Sequence, residues 1–352
     1  MTANHPGAAG VGALVRRRRQ ELGWSQADLA ARLGITRQAL ITIERGRSLP
    51  QLGLARALAD HLGLSLDDLT APLAVAAPAP WQWVGPEPVV PGPVYWALRE
   101  GRLLLVPAGA DPAGTAAADA WWDPVRHRLS PLPGAARPDR VLWLAGCDPH
   151  AGLLSRFLQE HLPGLDRVRV FPWGSRIALA ALSRGAVDAA GSHLYDPVRG
   201  VYNPPALLEE LAGGPVQRIR YCRWEAGLVG AATPETVRWW GVREPGSEAR
   251  ALFERRVGRP PVPVYEFGDH WSLAAFVRRQ PGAAGVTVGS LAPALDLPFT
   301  AWAEESFDWV IPAADAGRPW AQALAEVLAG AAWRRTVRQL RHVDWSPAGD
   351  PA

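Results

Sequence analysis

The sequence contains no lysine, only two cysteines and no long hydrophobic run. All 37 basic residues counted as Lys or Arg are arginine, which with the abundant alanine, glycine and proline suggests a GC-rich genome. Cys147 and Cys222 are far apart and lack paired neighbours, so we expect neither a zinc site nor a disulfide framework. The most apolar run, residues 71–86, is interrupted by four prolines and is too short to span a bilayer. We therefore expect a cytoplasmic chain without membrane segment, metal or cofactor.

Length and composition predict a multidomain chain. With 352 residues, 48% of them hydrophobic, it is too long for one ordinary core and apolar enough to form two or three. The net charge is only +3, but the first 70 residues hold nine arginines against six acids, a basic excess suited to DNA. We divide the chain into a helical domain over 11–70, a proline-rich linker over 71–93, a hairpin and irregular connector over 94–140, and a second domain over 141–345.

Residues 23–47 have the pattern of two short helices joined by a tight turn. Ser25, followed three residues later by Asp28, forms a capping box for the first helix, and Thr36 is placed to cap the second. Gly34 lies where a helix C-terminus requires a left-handed residue. The pattern predicts a helix-turn-helix, a motif that places one helix in the DNA major groove. Flanking patterns complete a five-helix domain, with further helices over 12–22, over 52–63 and from Ser65 onward.

This region resembles the Cro and lambda-type phage repressors over residues 12–70. TRQAL opens the second helix of the motif and ERGR closes it, as in that family. The resemblance implies base contacts from the outward side chains of this helix, namely Arg37, Gln38 and Thr42. It implies contacts to DNA phosphates from Gln26, Thr36, Arg45 and Arg47.

The same resemblance implies the binding partner and the role of the helical domain. Single helix-turn-helix units bind weakly and half-sites come in pairs, so we expect a homodimer on double-stranded operator DNA. A unit that serves only for protein contact is the alternative. Arg16–Arg19 is either a further phosphate-binding patch or the solvated face of the first helix.

The second domain alternates apolar runs of strand length with amphipathic helices. Residues 141–147 and 168–174 are such runs, and each precedes a helical pattern. This alternation predicts two α/β lobes, each a parallel sheet with helices on its faces. Ligands of such folds bind at the carboxyl ends of the strands. Before this domain, residues 94–108 predict a hairpin that turns at Glu100-Gly101.

Four strand-to-helix junctions of the second domain combine glycine with small or polar donors. Backbone amides at helix starts bind anions, and glycine allows the backbone to approach a ligand closely. The pattern therefore indicates a cleft for an anion or another polar ligand. The junctions are Gly146-Cys147-Asp148-Pro149, Gly174-Ser175-Arg176, Gly191-Ser192-His193 and Gly246-Ser247-Glu248.

The stretches GCDP, AGSHLYD, GVYNPP and GDHWSLAAFV resemble, in this order, the periplasmic-binding-protein-like domain of molybdate-type regulators. The resemblance covers residues 141–312. It implies a type II solute-binding fold used as an intracellular sensor, with a molybdate- or tungstate-like oxyanion as the effector. The predicted ligand-binding residues are Cys147, Asp148, Gly174, Ser175, Ser192, His193, Tyr195, Ser247 and His270.

Two departures from that family bear on the ligand. Glu248 places a carboxylate in a turn that the family builds as a Gly-Ser-Gly-Thr-Arg-like sequence, and Asp269-His270-Trp271 replaces its Thr-His pair. A small polar metabolite with a cationic or hydrogen-donating group is therefore the second candidate. Purely structural roles are also open for these residues. Asp148 suits a helix N-cap, and His193 is equally suited to a hydrogen-bonded position in the core.

The favoured interpretation is a one-component transcription regulator and not an enzyme. Its predicted fold is an all-α five-helix DNA-binding domain followed by an α/β two-lobed domain of the periplasmic-binding-protein type. An enzyme with Cys147 or Ser175 as nucleophile and His150 or His193 as base is a different-class alternative, although no G-x-S-x-G pattern is present. A domain that has lost its ligand and serves only for assembly is the third.

Overall fold

The computed structural model describes residues 8–66, 69, 80–109, 117–125, 127–231 and 233–350. The chain divides into two compact units, Met1–Trp81 and Gln82–Ala352. Within the described ranges, no helix combines the length and the apolar character needed to cross a membrane.

The first unit is helical, as predicted. Its core contains Val15, Leu29 and Leu40, whose side chains are fully buried. The predicted fifth helix, from Ser65 onward, falls largely outside the described residues, although Leu69 is described and is buried in the same core. The helices of this unit are α1 (Ala8–Glu21), α2 (Gln26–Leu33), α3 (Arg37–Glu44) and α4 (Leu52–Leu62).

Local signals fix the ends of α2 and α3. The hydroxyl of Ser25 accepts the Asp28 amide at 3.1 Å, and the Asp28 carboxylate accepts the Ser25 amide at 2.8 Å, which is the predicted capping box. Gly34 ends α2 with a φ of 65°. Thr36 Oγ1 then accepts the Ala39 amide at 3.1 Å and begins α3. The turn between the two helices is therefore determined by its own residues.

A five-stranded sheet precedes the second domain and corrects two of our domain assignments. The turn of its predicted hairpin has φ values of 49° at Glu100 and 76° at Gly101, as a two-residue turn of this kind requires. Residues 71–79 of the predicted linker (71–93) lie outside the described residues, and its remainder contains one strand and the start of a second. The region 94–140, predicted as a hairpin and irregular connector, contains the rest of that second strand and three more. Three of the strands have only three or four residues, too few for alternation to be recognised. In the order β1-β3-β2-β4-β5, the sheet consists of β1 (Trp81–Trp83), β2 (Gly92–Arg99), β3 (Arg102–Pro107), β4 (Ala120–Asp123) and β5 (Arg128–Pro131).

The first lobe of the second domain is a parallel α/β unit. Its strands lie in the order β7-β6-β8, and every residue of β6 is buried, as expected for a strand covered by helices on both faces. Its elements are β6 (Val141–Ala145), α5 (Ala151–His161), β7 (Arg167–Phe171), α6 (Ser175–Ser183) and β8 (Ala189–Ser192).

The second lobe repeats the arrangement, with strands in the order β13-β12-β14 and parallel pairing. A short hairpin, one helix and a long strand precede this lobe, and a second long strand follows it. In chain order the elements are β9 (Tyr195–Asp196), β10 (Val201–Tyr202), α7 (Pro205–Ala212), β11 (Val216–Val229), β12 (Trp239–Arg243), α8 (Glu248–Arg256), β13 (Val264–Phe267), α9 (His270–Arg279), β14 (Ala283–Val288), β15 (Phe299–Pro312), α10 (Pro319–Ala329), α11 (Ala331–Val337) and β16 (Val343–Asp344).

An antiparallel ladder of β11 and β15 joins the two lobes. It runs from Val216 opposite Pro312 to Val229 opposite Phe299. One end of β15 pairs with β8 of the first lobe, and one end of β11 pairs with β14 of the second, both antiparallel. The sheet is therefore mixed and not purely parallel as we expected, because the apolar runs of β11 and β15 do not reveal strand direction. The predicted fold class, a helical unit followed by a two-lobed α/β domain, is confirmed.

Candidate recognition helix and interlobe cleft

The predicted base-reading residues lie on α3. Arg37 and Gln38 are exposed, and Thr42, one turn later, is half-buried. The Thr42 hydroxyl donates to the Gln38 carbonyl at 2.9 Å, so its hydrogen is already used within the helix. The helix therefore presents two long polar side chains able to make paired hydrogen bonds to base edges.

The predicted phosphate contacts divide into two kinds. Arg45 and Arg47 follow the end of α3 and are exposed, and the Thr36 hydroxyl serves as the cap of that helix. Gln26 differs, because its side-chain amide donates to the Glu44 carboxylate at 2.9 Å. Sequence reasoning missed that Glu44 is an internal anchor rather than a surface acid.

Arg19 forms the other half of this anchor. Its Nε atom lies 2.6 Å from Glu44 Oε1, and its Nη1 donates to the Trp24 carbonyl at 2.7 Å. Both charged side chains are less than 10% exposed. Arg19 therefore belongs neither to a phosphate-binding patch nor to the solvated face of α1, whereas Arg16 and Arg17 remain exposed.

Cys147 and His193 meet in the cleft between the lobes, each at a predicted strand-to-helix junction. Cys147 Sγ lies 3.0 Å from His193 Nε2, and His193 Nδ1 lies 2.8 Å from Glu305 Oε2 on β15. Trp224 Nε1 donates to the same Glu305 oxygen at 2.9 Å. Burial would lower the pKa of His193, but its neighbours Cys147 and Glu305 outweigh burial and hold that pKa well above the usual range. Ser175 adjoins the group, since its hydroxyl accepts the His193 amide at 3.2 Å.

Two further junction residues have structural partners. The Ser192 hydroxyl donates to Asn203 Oδ1 at 2.8 Å, and the Asn203 amide returns a hydrogen bond to the Ser192 carbonyl. Asp148 accepts the His150 amide at 2.9 Å and the Tyr221 hydroxyl at 2.6 Å. Burial raises the pKa of Asp148. Both side chains therefore hold the walls of the cleft in place.

The second lobe contributes Ser247 and Glu248 at the start of α8. The Ser247 hydroxyl caps that helix, accepting the Arg250 amide at 3.3 Å. Glu248, which we expected to place a free carboxylate at the anion site, is paired with Arg255 at 2.9 Å. Its charge is therefore offset within the lobe, and its other oxygen lies 3.5 Å from the Tyr195 amide of the first lobe.

Arg243 and His270 hold the atoms that most clearly require a partner. Arg243 is 1% exposed; its Nε and Nη2 bind Glu244 at 2.7 and 2.8 Å, but Nη1 has no hydrogen-bond partner among the described residues. His270 is 2% exposed; Nδ1 lies 2.8 Å from Thr287 Oγ1, and Nε2 likewise lacks a partner within the described ranges. Burial, reinforced by Arg243 and by two neighbouring histidines, lowers the pKa of His270 well below its usual range, so the ring is neutral.

The lobes are in contact around this group. His150 Nε2 lies 2.9 Å from Ser290 Oγ across the cleft, and Trp271 Nε1 donates to the Pro149 carbonyl at 3.0 Å. At Gly174, an added Cβ would lie 3.0 Å from the Glu244 carboxylate of the other lobe, so a side chain here would require that carboxylate to shift. The two lobes are therefore in direct contact beside His270.

Sequence reasoning found part of the cleft. Of the predicted residues, Cys147, Ser175 and His193 are brought together, and His270 lies close enough for His193 to affect its pKa. Ser192, Ser247 and Asp148 instead hold the surrounding structure. Arg243 and Glu305 were missed; Arg243 ends a buried strand at its carboxyl end, a signal that could have identified it, whereas nothing in the sequence marked Glu305.

Comparison with known proteins agrees with this division. Residues 15–69 match a family model described as helix-turn-helix, and residues 155–329 match one described as the PBP superfamily domain. The uncharacterized protein YvgK of Bacillus subtilis is 29% identical over 186 residues, which are 48% of this chain and 60% of that protein. The chain thus spans less than two thirds of that relative.

Two solved structures align with part of this chain at low identity and low TM-score. An ABC-type phosphate transport receptor from Vibrio cholerae is 13% identical over 58% of this chain and 99% of its own, with a TM-score of 0.41. An arginine-, lysine-, histidine-binding protein from Geobacillus stearothermophilus is 13% identical over 58% of this chain and 95% of its own, with a TM-score of 0.39. Neither likeness bears on the ligand of this chain.

Two archaeal relatives match the helical unit. An HTH-type transcriptional regulator of Methanothermobacter thermautotrophicus is 50% identical over 50 residues, 14% of this chain and 72% of its own length. One from Methanocaldococcus jannaschii is 42% identical over 45 residues, 13% of this chain and 68% of its own length. The chain therefore belongs to the HTH-type transcriptional regulators and carries a PBP superfamily domain after its helix-turn-helix.

Proposed function

We propose that this chain is a one-component regulator that binds a small polar ligand between its two lobes and operator DNA through α3. The observation that carries the proposal is the pair of buried, unpartnered nitrogens at Arg243 and His270. A buried hydrogen-bonding group without a partner costs about 1–3 kcal/mol, more when it is charged. A ligand that bonds both nitrogens removes that cost.

The polar groups of the cleft indicate what the ligand carries. The Arg243 guanidinium suits an oxygen of an oxyanion, because Nη1 presents a fixed charged donor. Glu305 Oε1 is also buried without a partner among the described residues, and as a carboxylate oxygen it requires a hydrogen-bond donor. These groups favour a ligand that combines an anionic oxygen with a donor, such as a protonated oxyanion or a polar metabolite. Molybdate or tungstate, which the sequence resemblance implies, supplies only acceptors near neutral pH.

For ligand binding to change DNA binding, the ligand must bind one arrangement of the lobes more tightly than another. The β11–β15 ladder connects the lobes and is irregular between Arg220 and Cys222 and between Ala226 and Gly227. Such bulges are places where a sheet bends. A ligand held by both lobes favours the closed form, and in a homodimer that closure changes the presentation of two α3 helices to operator half-sites in the cytoplasm. The alternative is an assembly module without a ligand.

Calorimetric titration of the full chain tests whether the second domain binds a ligand as proposed. The panel is molybdate, tungstate and sulfate, which carry no proton at neutral pH, with phosphate and L-alanine as donor-bearing probes. We expect saturable binding of a donor-bearing probe, weakened about 10- to 100-fold by Arg243→Gln, since a hydrogen bond to a charged group contributes about 1.5–3 kcal/mol. The exposed Arg279 on α9 provides the matched control, Arg279→Gln. Absence of binding by the whole panel would support the assembly alternative.

The salt dependence of DNA binding tests the proposed contacts between α3 and operator DNA. Loss of one phosphate contact is expected to reduce the slope of log K against log salt by about 0.9, which is the outcome predicted for Arg45→Ala or Arg47→Ala. Arg37→Ala with Gln38→Ala should instead abolish discrimination between operator and unrelated DNA. Arg56→Ala, at an exposed position on α4, is the control. Full operator selectivity in the Arg37, Gln38 double variant would exclude α3 as the base-reading helix.

A further inference from the structure

Cys147, His193 and Glu305 form a continuous hydrogen-bonded chain. The thiol sulfur lies 3.0 Å from Nε2 of the imidazole, and Nδ1 lies 2.8 Å from the carboxylate. Each of the three residues is no more than 4% exposed. A cysteine is activated as a nucleophile when its thiol contacts a base and a third group orients that base. The three residues here have this arrangement.

The surroundings fix the imidazole in one orientation. Phe307 stacks on the His193 ring with centroids 5.8 Å apart and planes 21° from parallel, and Trp224 meets it edge-on at 5.2 Å. The Trp224 indole also donates to Glu305, which places the carboxylate to accept the Nδ1 proton of the imidazole. Nε2 then faces the sulfur and is free to take the thiol proton. Attack by the sulfur can therefore begin with transfer of the thiol proton to Nε2, which leaves an imidazolium beside the Glu305 carboxylate.

We propose that Cys147 is a peroxide-reactive cysteine, a modification site that shares Glu305 with the proposed ligand cleft. The sulfur attacks one oxygen of a hydroperoxide and forms an S–O bond as the O–O bond breaks. The leaving hydroxide, or alkoxide, takes the proton of the His193 imidazolium and departs as water or alcohol. Sulfur is oxidised by two electrons to the sulfenic acid, the peroxide is reduced by two, and the imidazole is left neutral.

The burial of Cys147 limits which oxidants can reach it. Cys147 is 4% exposed with the lobes in contact, so only a small molecule that enters as the cleft opens reaches the sulfur. Hydrogen peroxide fits these limits.

Cys222 is an internal comparison. It is also free and buried, but burial raises its pKa well above the usual range, and nearby carboxylates raise it further. No imidazole is bonded to it among the residues that the structure describes. The chain has no third cysteine, so the fate of each thiol can be followed separately.

The test measures sulfenic acid formation at each cysteine of the full chain at pH 6.5. The protein is exposed to hydrogen peroxide, trapped with a sulfenic-acid reagent and mapped by peptide mass spectrometry, with N-acetylcysteine as the reference thiol. An ordinary thiol with a pKa of about 8.5 is about 1% thiolate at this pH, so we expect Cys147 to react roughly tenfold faster than the reference or more. Cys222 should react more slowly than the reference.

Variants assign the effect to the triad. Glu305→Gln should lower the Cys147 rate about tenfold, because it removes the charge that favours the imidazolium, while Cys222→Ala should leave the rate unchanged. Equal rates in Glu305→Gln and the wild type would overturn the proposal. So would a wild-type Cys147 that reacts no faster than N-acetylcysteine, a result that needs no variant to fold. Neither outcome depends on whether the cleft binds an oxyanion.

Discussion

Glu44→Gln tests whether the buried anchor of the helix-turn-helix holds α1 against α3. Glu44 accepts Arg19 at 2.6 and 3.2 Å and Gln26 at 2.9 Å. Glutamine keeps the shape of the side chain but leaves the Arg19 guanidinium buried without a counter-charge. The change therefore isolates charge from packing.

The expected loss in the free energy of unfolding follows from the burial of the Arg19–Glu44 ion pair. The side chains of Arg19 and Glu44 are 8% and 2% exposed, so water does little to screen the charge that remains. Removing one partner of a buried ion pair costs about 3–5 kcal/mol. Because glutamine can still accept one hydrogen bond, we expect the lower value, about 3 kcal/mol. A helical unit of this size has a total stability of only about 3–8 kcal/mol, so a loss of this kind weakens DNA binding as well.

Hydrogen exchange in the full chain is the suitable assay, since it reports each unit separately. A loss of about 3 kcal/mol corresponds to roughly 100-fold faster exchange of the most protected amides of α2 and α3. Amides of β6, in the other unit, provide the unaffected reference. The double variant Arg19→Met, Glu44→Leu should recover most of the protection, because an apolar pair avoids the desolvation penalty. Exchange within threefold of the wild type in Glu44→Gln would refute the assignment of a buried anchor.

Two further predictions concern the part of the chain that follows the helical unit. Gly191→Ala should destabilise it by about 1–3 kcal/mol, because the added Cβ would overlap the Phe307 ring, with Cε1 at 2.8 Å. Gly152→Ala, on the open side of α5, should stabilise it by about 0.5 kcal/mol; equal melting temperatures for the two variants would contradict both. Asp119→Asn should cost about 3 kcal/mol in denaturant unfolding, because it leaves the buried Arg169, 2.9 Å away, without its counter-charge. A loss under 1 kcal/mol would show that Arg169 is solvated.

The elements that the sequence predicted well are those specified by local chemistry. Ser25, Asp28 and Gly34 determine the ends of α2 by hydrogen bonds and dihedral angles that involve only neighbouring residues. The alternating strands and helices of the two lobes follow from apolar runs such as residues 141–147, which the structure places in the wholly buried strand β6. Such signals need no knowledge of the rest of the chain.

What the sequence did not predict depends on residues that are distant in the chain. Arg19 looks like one of four consecutive surface arginines, and only the arrival of Glu44, 25 residues later, makes it an interior residue. Glu305 directly follows an exposed acid, Glu304, and its role depends on His193, 112 residues earlier. The direction of β11 and β15 is likewise fixed by pairing and not by composition.

The two unpartnered nitrogens of the cleft would supply a large part of the free energy that the proposed ligand switch requires. Moving a two-state equilibrium from 1:99 to 99:1 requires about 5.5 kcal/mol of differential affinity. Arg243 Nη1 and His270 Nε2 are buried without partners among the described residues, and each such group costs about 1–3 kcal/mol in a closed cleft. A ligand that bonds both thus supplies about 2–6 kcal/mol that exists only when the lobes are together. Because His270 is neutral and Arg243 is already paired with Glu244, this gain arises from hydrogen bonding more than from net charge, so binding should depend only weakly on salt. A binding constant that falls steeply with ionic strength would show that the ligand is recognised by its charge instead.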